Sequence, residues 1–349
     1  MKKEPPTWSH LWTRYGSKSL VLQSVAVIAI CVLLFCFLII HKTTSDSSTS
    51  VHQHWNYRGN ILEVTPNVAR RFKISVPQTS AALAHLEDIF VSVKTSQKFH
   101  ESRLDVILNT WFQLARDQIW FFTDAEDPEI NRRAYGHLKV TNCPASHSRQ
   151  ALCCKMAAEF EAFLQTSKSW FCHFDDDNYV NIQALVSKLQ EFDYREDWYL
   201  GKPSIPEPLK IPDRENMKDQ LSFWFATGGA GFCLSRSLAL KMRPVAGGGK
   251  FELVGDKIRL PDDVTMGYIA EHLLHTPLTV IEEFHSHLEP QRLIEKSLDS
   301  QISFSYSKYG NEMNTLVIEG FNDEEDPTRF KSLHCKLFPN FSWCPSKSS

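Results

Sequence analysis

The 349-residue chain predicts an α/β protein, with a mostly parallel, doubly wound sheet and helices on both of its faces. Three observations support this. Short runs rich in aromatic and β-branched residues alternate with segments whose apolar residues recur at helical spacing. The run 170–174, Trp-Phe-Cys-His-Phe, reads as a buried strand. Three carboxylates follow it at once, beyond the strand's carboxyl end, where open α/β sheets place their ligand crevice.

Before that rhythm begins, residues 20–40 are almost wholly apolar, broken only by Gln23 and Ser24, and are long enough to cross a hydrocarbon layer as a helix. A cleaved signal peptide is the alternative, but the stretch is long for one and no small-x-small site closes it before His41. Lys2, Lys3, Arg14 and Lys18 precede it, so the positive-inside rule keeps the N-terminus cytoplasmic. The expected organisation is a tail at 1–19, a span at 20–40, a luminal stem at 41–85 and a folded luminal domain at 86–349. The stem is rich in Ser, Thr and His near the span; its Arg70-Arg71 pair is either a processing site or simply solvated.

Within the domain, 89–93 reads as a strand, Leu104, Ile107, Leu108 and Trp111 as a helical stripe, and 119–122 as the next strand. A second helix carries Leu152, Met156, Phe160, Phe163 and Leu164 into the strand that ends at the acids. Ile182, Leu185, Leu189 and Phe192 give another helix, and Tyr199-Leu200 another strand. The proline-rich, charged stretch 202–219 reads as a surface loop or lid. Met266, Ile269, Ala270 and Leu273 then mark a helix behind Pro261-Asp262-Asp263, and 278–284 is strand-like.

Of the nine cysteines, Cys31 and Cys36 fall in the span. Seven remain outside it, which allows up to three disulfides and one free thiol in an oxidising compartment. The sequon at Asn340 suits a luminal glycan, although Cys335 and Cys344 flank it closely. A net charge of −3 with no basic stripe argues against a nucleic-acid partner.

Several clusters carry chemistry. Asp175, Asp176 and Asp177 repel one another unless a cation sits among them, and oxygen ligands suit Mn²⁺ or Mg²⁺ bridging to a diphosphate. An acidic turn capped by Asn178 or Asn181 is the competing interpretation. The glycines at 228, 229 and 231 permit close backbone approach but match no phosphate-binding fingerprint. Asp263 lies near a helix N-terminus, where a plain cap is a ready explanation. In an extended segment His285 and His287 would point the same way into one crevice; a solvated pair is the alternative.

Taken together, the motifs resemble the Fringe glycosyltransferases. They run from Trp170-Phe171-Cys172-His173-Phe174-Asp175-Asp176-Asp177-Asn178-Tyr179-Val180, through Phe223-Trp224-Phe225-Ala226-Thr227-Gly228-Gly229-Ala230-Gly231-Phe232-Cys233 and Leu260-Pro261-Asp262-Asp263, to Phe284-His285-Ser286-His287-Leu288-Glu289. Glu324-Glu325-Asp326-Pro327-Thr328-Arg329-Phe330 and Ser332-Leu333-His334-Cys335 extend the likeness, which covers roughly residues 86–345. The resemblance implies a GT-A nucleotide-sugar-binding fold in a single-pass type II Golgi membrane protein. It also implies inverting, Mn²⁺-dependent transfer of GlcNAc from UDP-GlcNAc, in β-1,3 linkage, to O-linked fucose on EGF repeats of Notch receptors, modulating Notch signalling.

By the same resemblance Asp177 and His287 match the manganese ligands, Asp176 and Arg103 the donor contacts, and Asp263 the catalytic base. From its local sequence alone, Arg103 reads as a surface helix charge. The implied disulfides are Cys143–Cys154, Cys172–Cys233 and Cys335–Cys344, with Cys153 free. Two other functions compete: a β-1,3-glycosyltransferase with a different donor or acceptor, and a membrane-tethered lectin without turnover.

Overall fold

Alternation along single strands shows how the core is built. In β1 (Ile89–Lys94), Ile89, Val91 and Val93 face one apolar cluster while Phe90 faces another, because successive strand side chains point to opposite sides. β4 (Trp170–Asp175) repeats the pattern, with Trp170, Cys172 and Phe174 on the first side and Phe171 on the second. Both faces are therefore covered, as a largely parallel sheet requires.

The computed structural model describes residues 85–214, 219–294 and 297–345, all within the unit Lys73–Ser349. The predicted tail and span, the Arg70-Arg71 pair and all but the last residue of the predicted stem lie outside the described residues. Among those described, no helix is long and apolar enough to cross a membrane.

β2 (Ile119–Thr123), β3 (Leu138–Val140), β6 (Tyr199–Gly201), β9 (Phe232–Ser235) and β10 (Leu278–Val280) complete a seven-stranded sheet of order β10-β6-β9-β4-β1-β2-β3, while the short β5 (Tyr179–Val180) pairs outside it. β9 runs antiparallel to β4 and β6, and the other neighbours are parallel. The sheet is thus mixed but dominated by parallel pairs.

One helix shapes the site from below. Arg149–Leu164 is capped by Ser148, whose hydroxyl accepts from the Ala151 N–H. Its Met156, Phe160 and Phe163 enter the second cluster, and the same buried face carries Lys155 and Glu159. Lys155 donates to the Thr95 carbonyl at 2.7 Å and to Asp124 at 2.6 Å, which satisfies its charge next to the end of β1.

Two expected elements change. The stretch 202–219 is not wholly loop: β7 (Leu209–Pro212) pairs antiparallel with β8 (Gln220–Phe223). Leu209 and Ile211 pack on the second cluster while Lys210 and Pro212 are exposed, so a period-two pattern lay hidden among charges and prolines. The strand expected at 278–284 stops at Val280, and residues 282–283 form a turn. Three disulfides join Cys143 to Cys154, Cys172 to Cys233 and Cys335 to Cys344, the pairs that the resemblance implies, and Cys153 is free and buried.

Candidate active site

The three adjacent acids occupy three different environments. The parallel register sets Lys94, the last residue of β1, beside Asp175, the last of β4. Its ammonium lies 3.1 Å from Asp175 Oδ1 and donates to Asp262 Oδ2 at 2.6 Å. Beneath them, His173 Nδ1 lies 2.6 Å from Glu159 Oε2, and its Nε2 lies 3.6 Å from Asp175 Oδ1. Burial penalises the Asp175 charge, yet Lys94 and His173 hold this carboxyl well below the usual carboxylate range. For His173, burial is likewise outweighed, chiefly by Glu159, and its pKa rises to about 9.

Asp176 is buried, with Oδ1 accepting from Arg103 Nη1 at 2.5 Å and Oδ2 from the Thr95 hydroxyl at 2.8 Å. Burial raises its pKa against both partners. Asp177 Oδ2 accepts a long 3.4 Å bond from Arg103, while its buried Oδ1 has no hydrogen-bond partner. Burial first, then the Asp175 charge, push Asp177 up to about 8. The Arg103 guanidinium stacks over Phe99 at 3.7 Å and lies 5.9 Å from the Tyr306 ring, so it is held on three sides rather than solvated.

The glycine segment joins the parts. Asn178 accepts from the Asp175 N–H at 3.0 Å and donates to the Gly229 carbonyl at 2.8 Å, tying the acid turn to the glycine turn. The helix cap is instead Asn181, ahead of Ile182–Leu189. Gly228 N–H donates to Asp263 Oδ2 at 3.1 Å, and Asp263 Oδ1 accepts from the Val264 N–H at 2.8 Å. Asp263 sits in the first turn of the helix Asp262–Gly267, whose N-cap is Pro261, so the simple N-cap interpretation does not hold. Burial and the neighbouring Asp262 push Asp263 up to about 6.

His287 rests on Gly229: a Cβ there would lie 3.1 Å from the imidazole Cε1 and Nδ1. That Nδ1 is buried without a hydrogen-bond partner, and burial lowers the imidazole pKa. His285 differs, with Nδ1 3.0 Å from Glu289 and Nε2 2.8 Å from Gln301. Both of its nitrogens are engaged. The C-terminal segment fastens the arrangement: Ser305 donates to the Asp177 carbonyl at 3.0 Å, Ser307 and Asn314 to that of His287 at 3.2 and 3.1 Å.

Among the described residues, no group of three or more His, Cys, Asp or Glu side chains could by itself hold a metal. Asp177 Oδ1 and His287 Nδ1 are nevertheless each buried without a hydrogen-bond partner, one a carboxylate oxygen and the other an imidazole nitrogen. A carboxylate oxygen and an imidazole nitrogen are donors that suit a divalent ion whose remaining positions are filled by a diphosphate and water. Lys94, Thr95 and Tyr306 join the site with no motif in the sequence to mark them. The available signal for Lys94 was its place, a charge ending an apolar run just as Asp175 does.

These features define an α/β protein whose acids, open imidazole and raised carboxyl are joined through one glycine turn at the carboxyl ends of its strands. The chain belongs to the Fringe-like family, whose family model matches residues 84–341. It is 54% identical over 289 residues to the Fringe glycosyltransferase of Drosophila melanogaster, covering 82% of this chain and 70% of that protein. Identity to the β-1,3-N-acetylglucosaminyltransferase lunatic fringe of Danio rerio is 51% over 263 residues, 74% of this chain and 70% of that protein. The corresponding radical fringe of Gallus gallus is 47% identical over 289 residues, 81% of this chain and 78% of that protein.

Proposed function

We propose that this chain is a GT-A type β-1,3-N-acetylglucosaminyltransferase that moves GlcNAc from UDP-GlcNAc to O-linked fucose on EGF repeats of Notch receptors, with inversion at the anomeric carbon. The reading places it in the Golgi membrane, held by residues 20–40 with the folded domain luminal, where the exposed Asn340 can carry a glycan. The observation that carries it is that the acid turn holding Asp177, the open imidazole of His287 and the raised carboxyl of Asp263 all meet at one glycine turn.

Asp177 and His287 would hold Mn²⁺. When bound, the ion supplies positive charge that stabilises the departing diphosphate. Arg103 and Asp176 bind and orient the nucleotide, with the guanidinium fixed by its aromatic and carboxylate neighbours. Asp263 accepts the proton of the fucose hydroxyl. That oxygen bonds to the anomeric carbon of GlcNAc, and the bond to the UDP phosphate oxygen breaks, with its electron pair leaving on UDP. Attack opposite the leaving group converts an α-linked donor into a β-linked product. A pKa of about 6 keeps Asp263 mostly ionised at neutral pH yet more basic than an ordinary Asp.

The test presents the full-length protein, Mn²⁺ and an O-fucosylated EGF repeat with a panel of UDP-sugars, and reads product mass. Addition of one N-acetylhexosamine from UDP-GlcNAc is expected. Transfer of hexose from UDP-galactose alone would assign a different donor. Acceptor binding without transfer from any donor would assign a lectin.

A further inference from the structure

Lys94 joins two carboxylates that stand on different elements, each beside a residue of the proposed machinery. Asp175 ends β4, two residues before Asp177, and Asp262 opens the helix that carries Asp263 in its first turn. The ammonium reaches the first at 3.1 Å and the second at 2.6 Å, and the Lys94 and Asp262 side chains are 10% and 5% exposed. A buried ion pair of this kind is often no more stabilising than well-packed apolar residues would be, so its net contribution to stability is a weak reason for it. What it fixes is geometry. It clamps the strand ends to the first turn of the helix, and so sets where Asp263 stands relative to the acid turn.

We propose that Lys94 is a positioning residue for the transfer reaction, holding Asp263 in register with the donor by bridging Asp175 and Asp262. The inference rests on the proposed glycosyltransfer and adds a residue to it. Lys94 makes no hydrogen bond or ion pair with the proposed metal ligands or Asp263, although its charge lowers the Asp263 pKa, so its loss should both displace the base and move its pH limb upward. Misplacement of a reacting group by about 1 Å costs on the order of a hundredfold in rate.

The test compares wild type with Lys94→Met, Lys94→Arg and Asp262→Ala in the full-length protein. It measures kcat and donor KM for GlcNAc transfer to an O-fucosylated EGF repeat, UDP affinity with Mn²⁺, and the folded fraction by thermal unfolding. Lys94→Met is expected to lower kcat per folded molecule at least about tenfold, with donor KM and UDP affinity within about threefold. Lys94→Arg should recover part of that loss, and Asp262→Ala should lower kcat with the same split. A folded Lys94→Met protein with kcat within about threefold of wild type would overturn the proposal. So would a loss matched by equal weakening of UDP binding, which would place Lys94 with the donor site instead.

Should Lys94→Met fail to fold, Asp262→Ala decides, because it removes the acceptor that an Asn amide could keep and leaves Lys94 paired with Asp175. Because Asp262 also raises the Asp263 pKa, kcat is compared on the pH plateau above the Asp263 limb: reduced plateau kcat at unchanged KM supports the clamp, and wild-type plateau kcat refutes it. A wild-type protein that transfers nothing fails the functional reading and this inference with it. An active wild type with indifferent variants fails only the inference.

Discussion

Asp177 and Asp263 are both raised by burial, for opposite purposes. Asp177, at about 8, holds a proton in the native state that the unfolded chain has released by about pH 5. The unfolded state then binds fewer protons than the native one, so ionising Asp177 costs stability progressively as pH rises from about 4 to about 8. A divalent cation reverses this by favouring the charged form. Asp177→Ala is therefore expected to abolish metal-dependent turnover while melting no lower than wild type at pH 8 in chelator. Parallel melts at pH 6 and 8 check it, and a clearly lower melting point at pH 8 would contradict it. His287→Ala should raise the Mn²⁺ concentration needed for half-maximal activity, with partial rescue at high Mn²⁺; an unchanged titration would remove His287 from the site.

Asp263 must be ionised to accept a proton. Its rate limb should rise through about pH 6, and Asp263→Asn should remove that limb. The amide keeps one acceptor oxygen, for either the Gly228 or the Val264 N–H, and loses the other bond, so some stability should be lost while the protein still folds, donor affinity persists and turnover falls at least about a hundredfold. A fall of only a few fold, or one that tracks lost stability, would send the search for the base elsewhere.

At the scale of elements, the glycine turn lets three segments meet. Gly231 adopts φ +88°, and a Cβ there would run into the Phe174 ring of β4. Gly231→Ala should cost about 2 kcal/mol or more in urea unfolding, from backbone strain plus the clash, and should lower activity with stability. Stability within about 0.5 kcal/mol of wild type would refute that role.

Strand ends were the most legible part of the sequence, because an apolar run stopping at a charge is a local pattern, as at Asp175. The Lys94 link was not legible: one lysine after a strand acquires meaning only once parallel pairing places it beside Asp175. The histidines were half legible. Spacing offered two rings for one crevice; the resemblance named His287, and the partners of both His285 nitrogens give a physical reason to set that ring aside. Asp263 was ambiguous for the same reason, since its bond to Gly228 crosses 35 residues of sequence.

For the whole molecule, the proposed function combines an anchor that faces the domain to the lumen with a crevice that accepts a nucleotide sugar only alongside a cation. UDP and Mn²⁺ together should raise the melting temperature more than either alone, because each ligand fills part of the other's site. The most direct measurement is the mass of an O-fucosylated EGF repeat after incubation with the full-length protein and UDP-GlcNAc, with Mn²⁺ or with chelator. A gain of one N-acetylhexosamine on the fucose is expected with Mn²⁺ and none with chelator. An unmodified repeat with Mn²⁺, or equal transfer in both arms, would contradict the proposed function.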